Sequence, residues 1–275
     1  MIATVKLNID GNEQNKYETG GLIVKLNKQV ICAAGLAIVV GMLMVPVNGE
    51  ARGRGYGHGA GGGQQAGQST VVANLPMQEL SAEEKIGLAK MREEEKLARD
   101  VYQMLYEKWN HRVFNNIAQS EQRHMDAVNV LLDKYGMTDP ITNSSRGVFT
   151  DPELQKLYTS LVEQGSQSLV EALKVGATIE DLDIKDLYDF LEQADNTDIR
   201  IVYQNLVKGS RNHMRAFVSQ LSVNGATYDA QFLSAAQIDD IVASPRERGR
   251  VDENGVQVSG NGQGRGKGRG MGRRS

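Results

Sequence analysis

The stretch 114–135, FNNIAQSEQRHMDAVNVLLDKY, reads as one helix carrying two residues that do not suit a dry face. Phe114, Ile117, Glu121, His124, Val128, Leu131 and Tyr135 follow one another in steps of three and four, the spacing of a helix face that packs on partner helices. Five of these seven are apolar or aromatic. A carboxylate and an imidazole among them lose their hydration, which costs several kcal/mol unless something compensates. A metal ion would compensate both.

Working outward, the preceding helix is expected from a capping box, Ser81-Ala-Glu-Glu84, to about Trp109. Its inward face is Leu88, Met91, Glu95, Ala98, Tyr102, Leu105, Trp109, with Glu95 the charged member. Glu93 and Glu94 fall off that face and read as solvated charges. Asn110 and His111 leave room only for a tight turn, so the first two helices are antiparallel neighbours. Gly136 suits a left-handed cap after the second.

Residues 137–165 form a long connection able to cross a helix bundle, with a short helix starting at Asp151-Pro-Glu. A third long helix spans about 167–194 and places Glu180 on the face Val170, Leu173, Ala177, Glu180, Ile184, Leu187, Leu191. Gly176 and Thr178-x-x-Asp181 allow a rival reading, a break near Val175 that would put Glu180 in a first turn, where acids are favoured anyway. The fourth helix, about 198–223, has Ile199, Tyr203, Leu206, Ser210, His213, Phe217 and Gln220 on one face, so His213 points inward. A short helix is expected at 234–243.

Each of four helices thus carries a metal-competent residue at mid-height: Glu95, Glu121 with His124, Glu180, and His213. Three carboxylates and two imidazoles suit iron or manganese, with zinc a further option. Tyr102, one turn beyond Ala98, reads as packing with its hydroxyl tied to a polar neighbour. A hydrogen bond to a ligand carboxylate or a radical role are the alternatives.

The stretches MREEEKLARDVY, IAQSEQRHMDAV, GATIEDLDIKDL and GSRNHMRAF resemble the ferritin-like domain of unknown function 2202, and Glu95-x-x-Ala98 with Glu121-x-x-His124 is similar to the ferritin-like di-iron superfamily. The resemblance covers about 80–221. It implies an all-α, ferritin-like antiparallel four-helix bundle with a long crossover between helices two and three. It also implies a dinuclear iron centre whose ligand positions are Glu95, Glu121, His124, Glu180 and His213. The superfamily repeats Glu-x-x-His on its last helix, whereas this chain has Ser210 at the Glu position. Asp183, one turn after Glu180, is the candidate for the missing carboxylate and would allow two ions per chain. Oxygen or peroxide are the implied reactants, and a homo-oligomer is compatible with the resemblance.

The rest of the chain bounds the setting. Residues 30–47, VICAAGLAIVVGMLMVPV, carry no charge and follow Lys25 and Lys28, so 1–49 reads as a signal peptide or a retained membrane anchor. Either places the protein outside the cytoplasmic membrane: periplasmic, extracellular, or anchored facing outward. Cys32, the only cysteine, lies in that run, so any metal site uses oxygen and nitrogen donors. Residues 50–74 read as a Gly-rich linker and 75–245 as the four-helix domain. Between Asn74 and Pro245 there are 27 acidic and 17 basic residues, a net of −10. Residues 246–275 hold 8 basic and 3 acidic, a net of +5, and read as a disordered Gly/Arg tail. That tail could attach to polyanions, but its alternation of Gly and Arg without aromatics argues against sequence readout of nucleic acid. The leading expectation is an iron-dependent oxidoreductase acting on Fe(II) or peroxide, against a non-catalytic envelope protein that binds or buffers metal.

Overall fold

In the computed structural model, which describes residues 72–258, the Ser81 hydroxyl accepts from the Glu84 N–H and the Glu84 carboxylate accepts from the Ser81 N–H. This reciprocal cap starts α1, Ala82–Trp109. Asn110 takes the left-handed conformation (φ 49°) and closes the turn into α2, Arg112–Lys134. Beyond it Gly136 (φ 62°) lets the Met137 N–H reach back to the Leu132 carbonyl. Asp151 caps α3, Pro152–Gly165; Ser168 caps α4, Leu169–Gln193; and α5 runs Thr197–Val223. A second capping box at Ser234 starts α6, Ala235–Ala243. A two-stranded antiparallel hairpin, β1 Arg250–Val251 and β2 Gln257–Val258, follows.

The described residues are therefore mostly helical. α1 packs on α2 and α4, and α5 packs on α4 and α2. Partners run in opposite order in every pair, as Arg92 with Met125 and Arg99 with Gln122, or Lys90 with Asp186 and Tyr102 with Glu180. Since α2 and α4 both oppose α1, they are parallel. Their connection must return along the whole length, which is what 137–168 with α3 does. The apolar interior forms two clusters, one around Tyr102, Phe114 and Phe217 and the other around Leu88, Leu131, Ile199 and Tyr203.

α4 is continuous through Gly176, as expected of a single third helix, and the rival break near Val175 does not occur. A Cβ at Gly176 would lie 2.3 Å from the Phe217 ring, so glycine is there for close packing rather than to end a helix. Glu94 is not a solvated charge: its Oε2 is buried without a hydrogen-bond partner, and burial followed by Asp186 pushes its carboxyl up to about 8. Besides α2, α1 packs on α3 and α4, and Glu94 lies on the flank these two cover.

Order also extends past both proposed boundaries. Val72, assigned to the linker, is buried in the second cluster, and the Lys134 ammonium donates to the Val72 and Leu75 carbonyls. Residues 246–258, assigned to the tail, pack on α5: Glu247 accepts from Arg211 and Arg215, and Asn205 donates to the Val251 carbonyl. Among the described residues no helix is long and apolar enough to cross a membrane. The uncharged run 30–47, the rest of the linker to residue 71 and the tail from 259 lie outside the described residues.

Candidate metal centre

Side chains from four helices meet between the two apolar clusters. Glu95, Glu121 and Glu180 are each only 2% exposed, His213 8%, and the His124 side chain 12%. Glu121 stands between the histidines, with His124 Nδ1 2.7 Å from its Oε2 and His213 Nδ1 3.0 Å from its Oε1. His124 Nδ1 also lies 3.3 Å from Glu95 Oε2, and His213 Nδ1 3.4 Å from Glu180 Oε2. The imidazole rings stack with centroids 5.5 Å apart. Donor atoms from Glu121, His124 and His213, one each, lie within 4.8 Å of one another, so this buried cluster could hold a metal ion.

The donor set fits a cation better than it fits hydrogen bonding within itself. Glu95 Oε1, Glu121 Oε1 and His213 Nδ1 are buried and make no hydrogen bond, although the last two are 3.0 Å apart. Each imidazole Nδ1 faces two carboxylates and can donate only one proton. Leaving such atoms bare costs about 1–3 kcal/mol apiece, whereas a cation takes their lone pairs directly. The field of these carboxylates draws positive charge, which a proton or a metal ion can supply. Burial lifts Glu95 to about 7 against the pull of His124, and likewise raises Glu180 against His213. Burial opposes ionisation of Glu121 too, but His213 and then His124 overcome it and hold that carboxyl far below its usual range. For His213, burial is outweighed by Glu121 and Glu180, which lift it to about 9.

The surrounding residues fix this geometry. The Tyr102 hydroxyl donates to Glu180 Oε1 at 2.6 Å, with the Gly176 carbonyl at 3.3 Å, so it is tied to a site carboxylate. Its ring packs on Phe217, centroids 5.3 Å apart. Ser210 donates to Asp183 Oδ2, one turn along α4 from Glu180. Burial, then Glu95 and Glu180, raise the Asp183 carboxyl well above its ordinary value. All eight residues singled out in the sequence, Tyr102, Ser210 and Asp183 included, are thus brought to one region.

Gly209 escaped the sequence reading. A Cβ there would lie 2.5 Å from His124 Nε2, so the α5 backbone leaves the space this imidazole fills. The signal was a glycine inside a helix, one turn before an inward histidine. A second oversight was the pair Lys96 and Asp100, 1% and 0% exposed, whose ion pair of 2.7 Å is covered by the crossover. Lys96 Nζ also donates to the Ser145 and Val148 carbonyls and sits 4.1 Å from the Phe149 ring centroid. It clamps the connection that crosses the bundle.

The family profile described as uncharacterized protein domain DUF2202 matches residues 84–245, which contain every residue of this centre. The chain belongs to this family. The chain is also 57% identical over 178 residues to the uncharacterized protein MJ0754 of Methanocaldococcus jannaschii, covering 65% of this chain and 96% of that one. The crystal structure of hypothetical protein MJ0754 from Methanococcus jannaschii DSM 2661 is similar, with a TM-score of 0.62 at 57% identity, over 63% of this chain and 99% of that one.

Proposed function

We propose that this DUF2202 protein is a ferritin-like metal protein in which Glu95, Glu121, His124, Glu180 and His213 hold iron, and that it is an oxidoreductase acting on Fe(II) or peroxide. The observation carrying the reading is the buried, hydrogen-bond-free approach of Glu121 Oε1 and His213 Nδ1 between two further carboxylates. Mixed carboxylate and imidazole donors suit iron, with manganese or zinc as alternatives. Bound iron would supply the one-electron chemistry that no side chain of the site provides. The protein's own contribution is to orient and to exclude water. Tyr102 fixes one oxygen of Glu180, leaving the other toward His213, and Glu121 presents one oxygen to each imidazole.

A second ion would need Asp183, since Ser210 replaces the carboxylate expected on α5. The hydrogen bond between them favours a second reading, a protein that binds or buffers metal without turnover. Reconstitution decides: the first reading expects close to two irons per chain with consumption of oxygen or peroxide, and binding without turnover selects the second. Export or outward anchoring belongs to the same proposal, supported by the uncharged run 30–47. Fractionation of cells with an antibody to the folded region, together with mass determination of the mature chain, tests it.

A further inference from the structure

A cleft of about 600 Å³, counting its open mouth, lies between α1, α3 and α4 and is lined by Leu97, Leu157, Leu161, Ile179, Leu182 and Phe232. Two further wall residues, Ala98 and Asp183, follow Glu95 and Glu180 by three residues on α1 and α4. That is less than one helical turn, so the cleft adjoins the Glu95 and Glu180 side of the candidate centre. Asp183 is half-buried where Glu95, Glu121 and Glu180 are closed off, so it is the carboxylate of this region that the cleft reaches. One wall is tied down. The Asp181 carboxylate, 0% exposed, accepts from the Tyr228 hydroxyl and from the N–H groups of Gln231, Phe232 and Leu233. The Phe232 side of the cleft is therefore formed in advance of any ligand.

What the cleft suits follows from its lining. No lysine, arginine or histidine stands among the described residues of the wall, so an anionic head finds no partner there. The carboxyls of the wall are engaged or out of reach: Asp183 accepts from Ser210 through Oδ2, while Glu94 turns Oε1 to Lys90 and keeps Oε2 buried. A cationic head would have to compete with those partners and with any metal. An uncharged aliphatic molecule gives up no strong hydration on entering and covers the leucines, in a cleft of ordinary ligand-site size. Leu154 and Leu161, both on the α3 wall, are roughly 10 Å apart along the helix, which sets the length of chain that fits.

We propose that this cleft binds a short, uncharged aliphatic molecule, and that the bound molecule replaces water beside Asp183 and is thereby sensed at the metal centre. The binding rests on the cleft alone; the effect on the centre rests on the metal reading. Calorimetric titration of the full-length, metal-free protein compares hexanol with hexylamine and hexanoate, chains short enough to enter whole. Hexanol binds saturably at one per chain, and the two charged analogues bind about tenfold or more weakly, because their heads lose water without gaining a partner. Leu157→Trp, at a half-buried wall position, fills the cleft and abolishes hexanol binding while circular dichroism shows native helicity. Phe232→Ala removes the tied wall and weakens binding about tenfold. In the Mn(II)-loaded protein, saturating hexanol shifts the electron paramagnetic resonance spectrum of the ion. The proposal is overturned if hexanol binding does not saturate, if either charged analogue binds as tightly, if folded Leu157→Trp still binds hexanol, or if the Mn(II) spectrum does not move. Hexanol binding by a chain that takes up neither Mn(II), Fe(II) nor Zn(II) sinks the metal reading and upholds the binding site.

Discussion

Glu121 Oε1 and His213 Nδ1 face each other at 3.0 Å inside the protein, and neither makes a hydrogen bond. A cation seated there binds the folded chain and has no comparable seat in the unfolded one, so it stabilises by mass action. At a hundredfold excess over its dissociation constant the gain is about 2.7 kcal/mol. For a domain of this size that corresponds to a Tm rise of roughly 5–10 °C. Thermal unfolding with Fe(II) under anaerobic conditions, or with Mn(II) or Zn(II), should show the rise, and a chelator should reverse it.

Gly209→Ala separates the site from the scaffold. Alanine is the better helix former by up to about 1 kcal/mol, and the atom it would strike is the tip of a side chain, His124 Nε2, which can swing away. Helicity and denaturant stability should stay at or near the parent's while metal affinity falls about tenfold or more. Parallel urea titration and metal-competition assays check both halves.

Asp100→Ala should be costly for a different reason. It strands the Lys96 ammonium, 1% exposed, among the Ser145 and Val148 carbonyls, and also removes the acceptor of the Gly147 N–H. Losing one partner of a buried ion pair costs about 3–5 kcal/mol. Urea unfolding gives the magnitude, and faster amide exchange in 145–149 would place the damage in the crossover.

The clamp of residues 246–258 on α5 responds to acid. Burial would raise the Glu247 carboxyl, but Arg211 and then Arg215 hold it below the usual range. Because the folded value lies below the unfolded one, its contribution is present above the unfolded carboxyl range and fades as pH falls through the folded value. Glu247→Gln should therefore narrow the stability difference from the parent at low pH and show its full deficit near neutrality. Chemical denaturation across pH 3–7 measures it.

Much of this was legible locally. Ser81, Asn110, Gly136 and Asp151 mark helix ends by cap chemistry, and the steps of three and four put Glu95, Glu121, His124, Glu180 and His213 on inward faces. What local pattern could not show was what covers the other flanks. Lys96 and Asp100, four residues apart, look like a solvated surface pair until the aperiodic crossover buries them. Glu94 was misread because α1 has neighbours on more than one side. Gly176 and Gly209 look like helix weaknesses in sequence, and only the positions of Phe217 and His124 give them their purpose.

The most direct test is elemental analysis of the protein purified without chelators, alongside Glu121→Ala and His213→Ala with helicity checked. The account predicts about one to two metal ions per chain in the parent and their loss from both folded variants. Metal-free parent protein that takes up neither Fe(II), Mn(II) nor Zn(II), or variants that keep the parent's stoichiometry, would contradict it.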